Sequence, residues 1–199
     1  MSYSIRRLSI FAFLMLVAAS TMAAAQGTLV DKRDGTKYRT VKIGNQTWMA
    51  ENLNYKSDSS FCYNNKEDNC AKYGRLYKWH AALTACPDGW HLPSKAEFET
   101  LIESVGGQQV AGKSLKSKKG WTDSGNGSDD FGFSALPAGF RIPIGNYNFK
   151  DCHTSFWSSS ESGSLNACEM YMDFYSDIAG LFCFEKDFGR SVRCLQDWD

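Results

Sequence analysis

No Cys-x-x-Cys pair occurs among the seven cysteines, and the three histidines are scattered at positions 80, 91 and 153. A zinc site needs clustered thiolate or imidazole ligands, so both absences argue against one. The chain also lacks a Gly-x-Ser-x-Gly elbow, a His-Glu-x-x-His pattern and a phosphate-binding loop, which mark nucleophilic, metal-dependent and nucleotide chemistry. His80 lies on an apolar stripe and His91 between Trp90 and Leu92, so both read as structural; His153 stands alone. The chain therefore reads as not an enzyme. Basic runs are missing too: 22 Lys and Arg residues balance 22 Asp and Glu, which gives no footprint for nucleic acid. No internal repeat and no second domain is visible.

A single long apolar run is present, near the start. Arg6 and Arg7 precede Leu8 to Ala19, and Ala23-Ala24-Ala25 follows with small side chains. Residues 1–25 read as a cleavable secretory signal peptide, with Gln26 as the new N-terminus and no transmembrane helix after cleavage. No cysteine follows the run, which argues against lipid attachment. The mature chain keeps all six tryptophans, and its 20 basic against 22 acidic residues leave it weakly negative. The expected address is outside the cytoplasm: secreted, or held at a bacterial cell envelope or surface.

Export makes disulfides the expected state of the cysteines. Cys62 and Cys70 flank a polar loop and can staple it locally. Cys86 and Cys194 sit at the two ends of the main body; joined, they would close a loop worth about 4–5 kcal/mol. Cys168 and Cys183 fall on consecutive predicted strands, which leaves Cys152 unpaired. Spacing alone leaves the connectivity open.

Gln26 to Lys37 is polar and is expected to be a flexible N-terminal segment, with one domain spanning residues 38–199. Tyr38 to Ile43 alternates, Gly44-Asn45 is a turn pair, and Gln46 to Ala50 resumes with Trp48: a β-hairpin pattern. Leu76, Trp79, His80 and Leu83 follow helical spacing and predict a helix over 73–85. Ser94 and Glu97 form a capping box that opens a second helix, with Phe98, Leu101, Ile102 and Val105 on its buried face. A helical turn around Ala111 to Lys116 follows. Short apolar and aromatic runs at 133–141, 155–159, 167–174, 181–186 and 191–195 predict antiparallel strands.

That element order, with one cysteine after the first helix and another in the last strand, resembles the C-type lectin-like fold. Trp48-Met49-Ala50-Glu51-Asn52-Leu53 resembles the opening motif of the Fibrobacter succinogenes major paralogous domain. Tyr73 to Tyr77, Cys86 to Pro93, Phe131 to Gly139, Trp157 to Glu161 and Ser191 to Cys194 extend the likeness to residues 29–197. The resemblance implies an α+β domain in which two helices flank a twisted antiparallel sheet with a long projecting loop region, and it implies Cys86 joined to Cys194. It also implies a secreted or cell-surface protein whose biochemical activity is not established. The lectin-like sugar-binding calcium motifs are missing, and the reactive cysteine pair of formylglycine-generating oxidases finds no match.

Two segments offer candidate chemistry. Asp123, Asn126, Asp129 and Asp130 supply hard oxygen ligands among glycines, which suits calcium, although the spacing is not that of an EF-hand. The alternative is a solvated loop of Asx turns. Trp157, Ser159 and Glu161 could stack on and hydrogen-bond a sugar, against the alternative that Trp157 fills the core. Tyr147 and Phe149 offer a second aromatic contact surface. The expected function is a non-catalytic recognition module that contacts a glycan or an extracellular protein through its long-loop face. A structural envelope protein without a soluble ligand and a formylglycine-oxidase-like enzyme are the alternatives. No cofactor is expected, calcium being the one candidate.

Overall fold

The computed structural model describes residues 26–198, so the proposed signal segment 1–25 lies outside the described residues. In chain order the elements are β1 (Gln26–Val30), β2 (Lys37–Ile43), β3 (Gln46–Met49), β4 (Ser60–Phe61), α1 (Glu67–Tyr73), β5 (Leu76–Tyr77) and α2 (Trp79–Ala82). There follow β6 (Trp90–His91), α3 (Lys95–Ser104), α4 (Gln108–Leu115), β7 (Phe140–Arg141) and β8 (Tyr147–Asn148). The chain closes with β9 (His153–Ser162), β10 (Asn166–Asp173), β11 (Ala179–Glu185) and β12 (Leu195–Gln196). One sheet runs β1-β2-β3-β12-β6, a second β11-β10-β9, and the pairs β4-β5 and β7-β8 form two-stranded sheets. All these ladders are antiparallel. Among the described residues the architecture is mixed α and β, with several antiparallel sheets and four α-helices.

The β2–β3 hairpin forms where the alternation places it, with Gly44 in the left-handed region (φ 60°) at the turn. Its inner side chains Val41, Ile43 and Trp48 enter the main core. There the Trp48 indole stacks on Phe98 of α3 at 5.3 Å and meets the Phe133 ring edge-on at 5.9 Å. The start of the expected flexible segment is instead a strand. Gln26 pairs with Val41 and Val30 with Lys37, so a polar, solvent-facing edge is held by ladder hydrogen bonds.

The helix expected over 73–85 is broken. α1 begins earlier and stops at Tyr73, because Gly74 takes φ 72° and passes so close to Asn52 that a Cβ would lie 2.6 Å from it. Leu76 and Tyr77 then pair with β4, and α2 is a single turn. Only part of the stripe is buried: His80 and Leu83 face solvent.

α3 forms as read, with both halves of its capping box made: Ser94 Oγ accepts from the Glu97 backbone, and Glu97 Oε2 accepts from the Ser94 backbone at 2.7 Å. Burial works to raise the Glu97 carboxyl pKa. The Ser94 bonds and His91, at 3.0 Å, outweigh it and leave the group below its ordinary value. A carboxyl lowered by folding contributes stability above its unfolded pKa, about 4.3, and loses that contribution as pH falls through the folded value. We therefore expect the gap in urea midpoint between wild type and Glu97→Gln to be open at pH 6 and to close below about pH 4. A gap that widens on acidification would count against the assignment.

Two expected strand runs are mostly extended chain outside any ladder: of 133–141 only Phe140 and Arg141 join a strand, and of 191–195 only Leu195. Isolated backbone bonds to other segments, such as Leu53 donating to the Val192 carbonyl, and one buried side chain satisfy the backbone there instead. Arg193 is fully buried; its Nε donates to Asn52 Oδ1 (2.7 Å), its Nη1 to the carbonyls of Met49 and Phe133, and its Nη2 to that of Ser134 (3.1 Å). Asn52 Nδ2 donates in turn to the Tyr73 carbonyl at 2.8 Å. Burial holds the guanidinium pKa down to about 9, against the pull of Asp129 and Glu51. Four motif segments, at 48–53, 73–77, 131–139 and 191–194, thus meet around one buried cation.

Disulfides join Cys62 to Cys70, Cys86 to Cys194 and Cys168 to Cys183. The last pair are direct cross-strand partners of β10 and β11. Cys152 is free.

Candidate functional site

β10 alternates across its two faces. Met170 and Met172 point into the core, while Glu169, Tyr171 and Asp173 point the other way. On β11 the same outer face carries Phe182 and Phe184 around Gly180, over which the Tyr171 ring lies; a Cβ at Gly180 would sit 2.4 Å from that ring. Phe140, Phe149, Phe174, Tyr175, Cys152, His153 and Arg190 rise around this floor to enclose a cleft of about 400 Å³. Seven of its twelve lining residues are phenylalanine or tyrosine. Phe149, Tyr175 and Phe182 on its rim are 60%, 75% and 58% exposed, an arrangement that soluble domains seldom leave without a partner.

Phe149 is held at φ 61°, a left-handed conformation that costs a bulky residue roughly 1–2 kcal/mol. Its carbonyl accepts from the backbone of both Cys152 and His153, and its ring stacks on Phe140 at 5.5 Å. The turn thus presents an aromatic ring to solvent at a conformational cost.

Four charged or titratable groups of the cleft sit in two close pairs. His153 Nδ1 lies 2.7 Å from Asp173 Oδ1, and Arg190 Nε lies 2.7 Å from Glu169 Oε2. The second pair is a close charge contact that misses hydrogen-bond alignment, and Arg190 Nη1 has no acceptor. Burial raises the Glu169 carboxyl pKa and lowers that of the Arg190 guanidinium. His153 Nε2 is buried without a partner, so the Cys152 thiol does not engage it. The donor atoms of Cys152, His153 and Asp173 do not gather within 4.8 Å of one another.

The residues singled out from the sequence are dispersed. Phe149 lines the cleft, whereas Tyr147 packs on Tyr63 at 5.2 Å and donates its hydroxyl to Asn65. Trp157 is fully buried, with Nε1 donating to the Tyr77 carbonyl at 2.8 Å, so its indole has no face to offer a sugar. The Ser159 backbone bonds the Pro93 carbonyl, and Glu161 pairs with Lys186 at 2.9 Å. Buried Trp157, half-buried Ser159 and exposed Glu161 thus form no common contact surface.

The acidic loop is likewise split. Asp129 accepts from the Ser134 backbone and hydroxyl, Asp130 from the Ser128 hydroxyl, and Asn126 Oδ1 from the Trp121 backbone. Asp123 and Asn126 border a polar depression beside Phe174 and Tyr175. Among the described residues, the one group of three or more close Cys, His, Asp or Glu ligands is Cys62, Glu67 and Cys70, two of which form a disulfide. The carboxylates of Asp129 and Asp130 are thus engaged as turn-forming acceptors, and among the described residues they do not converge with that of Asp123.

His153, Asp173, Glu169, Tyr171, Phe182, Phe184 and Arg190 were missed as site residues. A signal existed in the predicted strands: Phe182 and Phe184, like Glu169, Tyr171 and Asp173, are two apart and so share a face.

Fold and site define a disulfide-stapled domain of antiparallel sheets and short helices, whose motif residues knit its interior and whose aromatic cleft opens on the outer face of its second sheet. Residues 41–196 match the family described as the Fibrobacter succinogenes major domain, and the chain belongs to that family. No curated protein and no solved structure matches it. Among the described residues no helix is long and apolar enough to cross a membrane, and the three disulfides are consistent with an extracytoplasmic setting.

Proposed function

We propose that this domain is a non-catalytic recognition module, working outside the cytoplasm, whose binding surface is the aromatic cleft over β9, β10 and β11. The observation that carries the reading is the convergence of five phenylalanines and two tyrosines on one cavity, three of them exposed at its rim. A lectin-like fold accords with the long Cys86–Cys194 bridge and with β12 pairing to β3 near the chain's start.

Between the partner classes expected from the sequence, the lining favours an apolar group over a glycan. Phenylalanine offers no hydrogen bond, and each sugar hydroxyl left without one would cost about 1–3 kcal/mol. The His153–Asp173 pair is the observation that favours a catalytic reading, since a base with its orienting carboxylate makes up two of the three members of a nucleophilic triad. The unpartnered Nε2 weighs against it, because the neighbouring thiol is not placed for activation.

Chemical-shift mapping with a library of apolar fragments and a panel of glycans tests the proposal. Fragment shifts should cluster at Phe149, Tyr175 and Phe182, and the glycans should leave those residues unmoved. Fragment binding that maps elsewhere, or glycans that occupy the cleft, would overturn it.

A further inference from the structure

The cleft has an inner and an outer half. In the inner half the chain holds a cation of its own. The Arg190 guanidinium carbon lies 4.5 Å from the Phe140 ring centroid, 5.0 Å from that of Phe188 and 5.2 Å from that of Phe184, with Glu169 as its counter-ion. Aromatic faces carry negative potential, so rings plus a carboxylate can hold a positive charge away from water.

The outer half repeats that composition without the cation. Phe149, Phe174, Tyr175 and Phe182 surround Tyr171 and Asp173, and among the described residues no Lys or Arg lies over any of these five rings. Fixed charge leans the same way: Glu169 and Asp173 line the cleft against Arg190 alone, with His153 bonded to Asp173. Lys116, behind the rim, is taken up by the carbonyls of Asp173 and Ser176. An anion would meet the Asp173 carboxylate here, and a polyhydroxylated ligand would find few partners, since three of the five rings are phenylalanine. A cation with an apolar surface suits both the rings and the acid.

We propose that the outer half of the cleft binds a small organic cation, an alkylated ammonium, over the faces of Phe149, Tyr175 and Phe182 with Asp173 as counter-charge. The inference rests on the reading of the cleft as the binding surface. The test is an NMR titration of the protein with choline and, separately, with 3,3-dimethylbutan-1-ol, its uncharged isostere with carbon in place of nitrogen. Choline should bind about tenfold tighter or more, with shifts at Phe149, Tyr175 and Phe182. Asp173→Asn should bring choline down towards the isostere and leave the isostere unchanged; asparagine can still accept from His153 Nδ1, so the fold is kept. Equal affinity for the two ligands would overturn the cation inference while leaving the cleft as an apolar binding surface. No shift at the cleft with either ligand would overturn both.

Discussion

Replacing Arg193 by methionine is expected to lower stability by about 3–5 kcal/mol, a fall in Tm of roughly 10 °C for a domain of this length. Methionine restores the volume and removes the cost of burying a charge, a cost visible in the guanidinium pKa held down to about 9. It leaves four acceptors without donors, however: Asn52 Oδ1 and the carbonyls of Met49, Phe133 and Ser134. An orphaned buried acceptor costs about 1–3 kcal/mol, so the losses outweigh the relief. Arg193→Lys separates charge from geometry. Lysine keeps the charge but not the planar fork, and should recover less than half of the loss. Calorimetry checks both variants; a methionine variant melting within 2 °C of wild type would show that the buried cation does not hold these segments together.

Removing the Cys86–Cys194 bridge by a double alanine substitution is the second large effect, about 4–5 kcal/mol by loop-closure entropy for a sequence separation of 108. The bridge pins the strand that completes the first sheet: Met49 donates to the Cys194 carbonyl, and Leu195 sits between Trp48 and His91. Removing Cys62–Cys70, with a separation of 8, should cost only about 2–3 kcal/mol. Urea unfolding of the two double variants should therefore rank them in that order. The reverse ranking would mean that local packing, and not chain closure, dominates.

What could be read from the sequence was local. The β2–β3 hairpin and the capping box of α3 are specified within a dozen residues, and both appear where the pattern puts them. β1 could not be read, because its ladder is supplied by β2 and not by its own polar residues. The helix expected over 73–85 failed because Trp79 is buried for a distant reason: its Nε1 donates to the Ser158 carbonyl of β9, and the helical spacing of its neighbours is incidental. Trp157, weighed as a sugar platform or as a core residue, is the latter: it is fully buried, and its Nε1 donates to the Tyr77 carbonyl. The cleft was the least legible feature. It needs the pairing of β9, β10 and β11 to set its floor, and separate loops to bring Phe149, Tyr175 and Arg190 over it. The motifs that mark the family pointed elsewhere, to residues such as Asn52, Gly74 and Arg193 that hold the interior together.

The central claim is that the rim of the cleft serves binding and not stability, and Phe149→Gly tests it most directly. Glycine relieves the left-handed strain at that position, while the lost stacking on Phe140 costs about as much, so the two nearly cancel. The melting temperature should stay within about 2 °C of wild type, and the fragments that map to the cleft should lose most of their affinity. Unchanged fragment affinity, or a melting temperature lower by more than about 5 °C, would contradict the account and return Phe149 to a packing role.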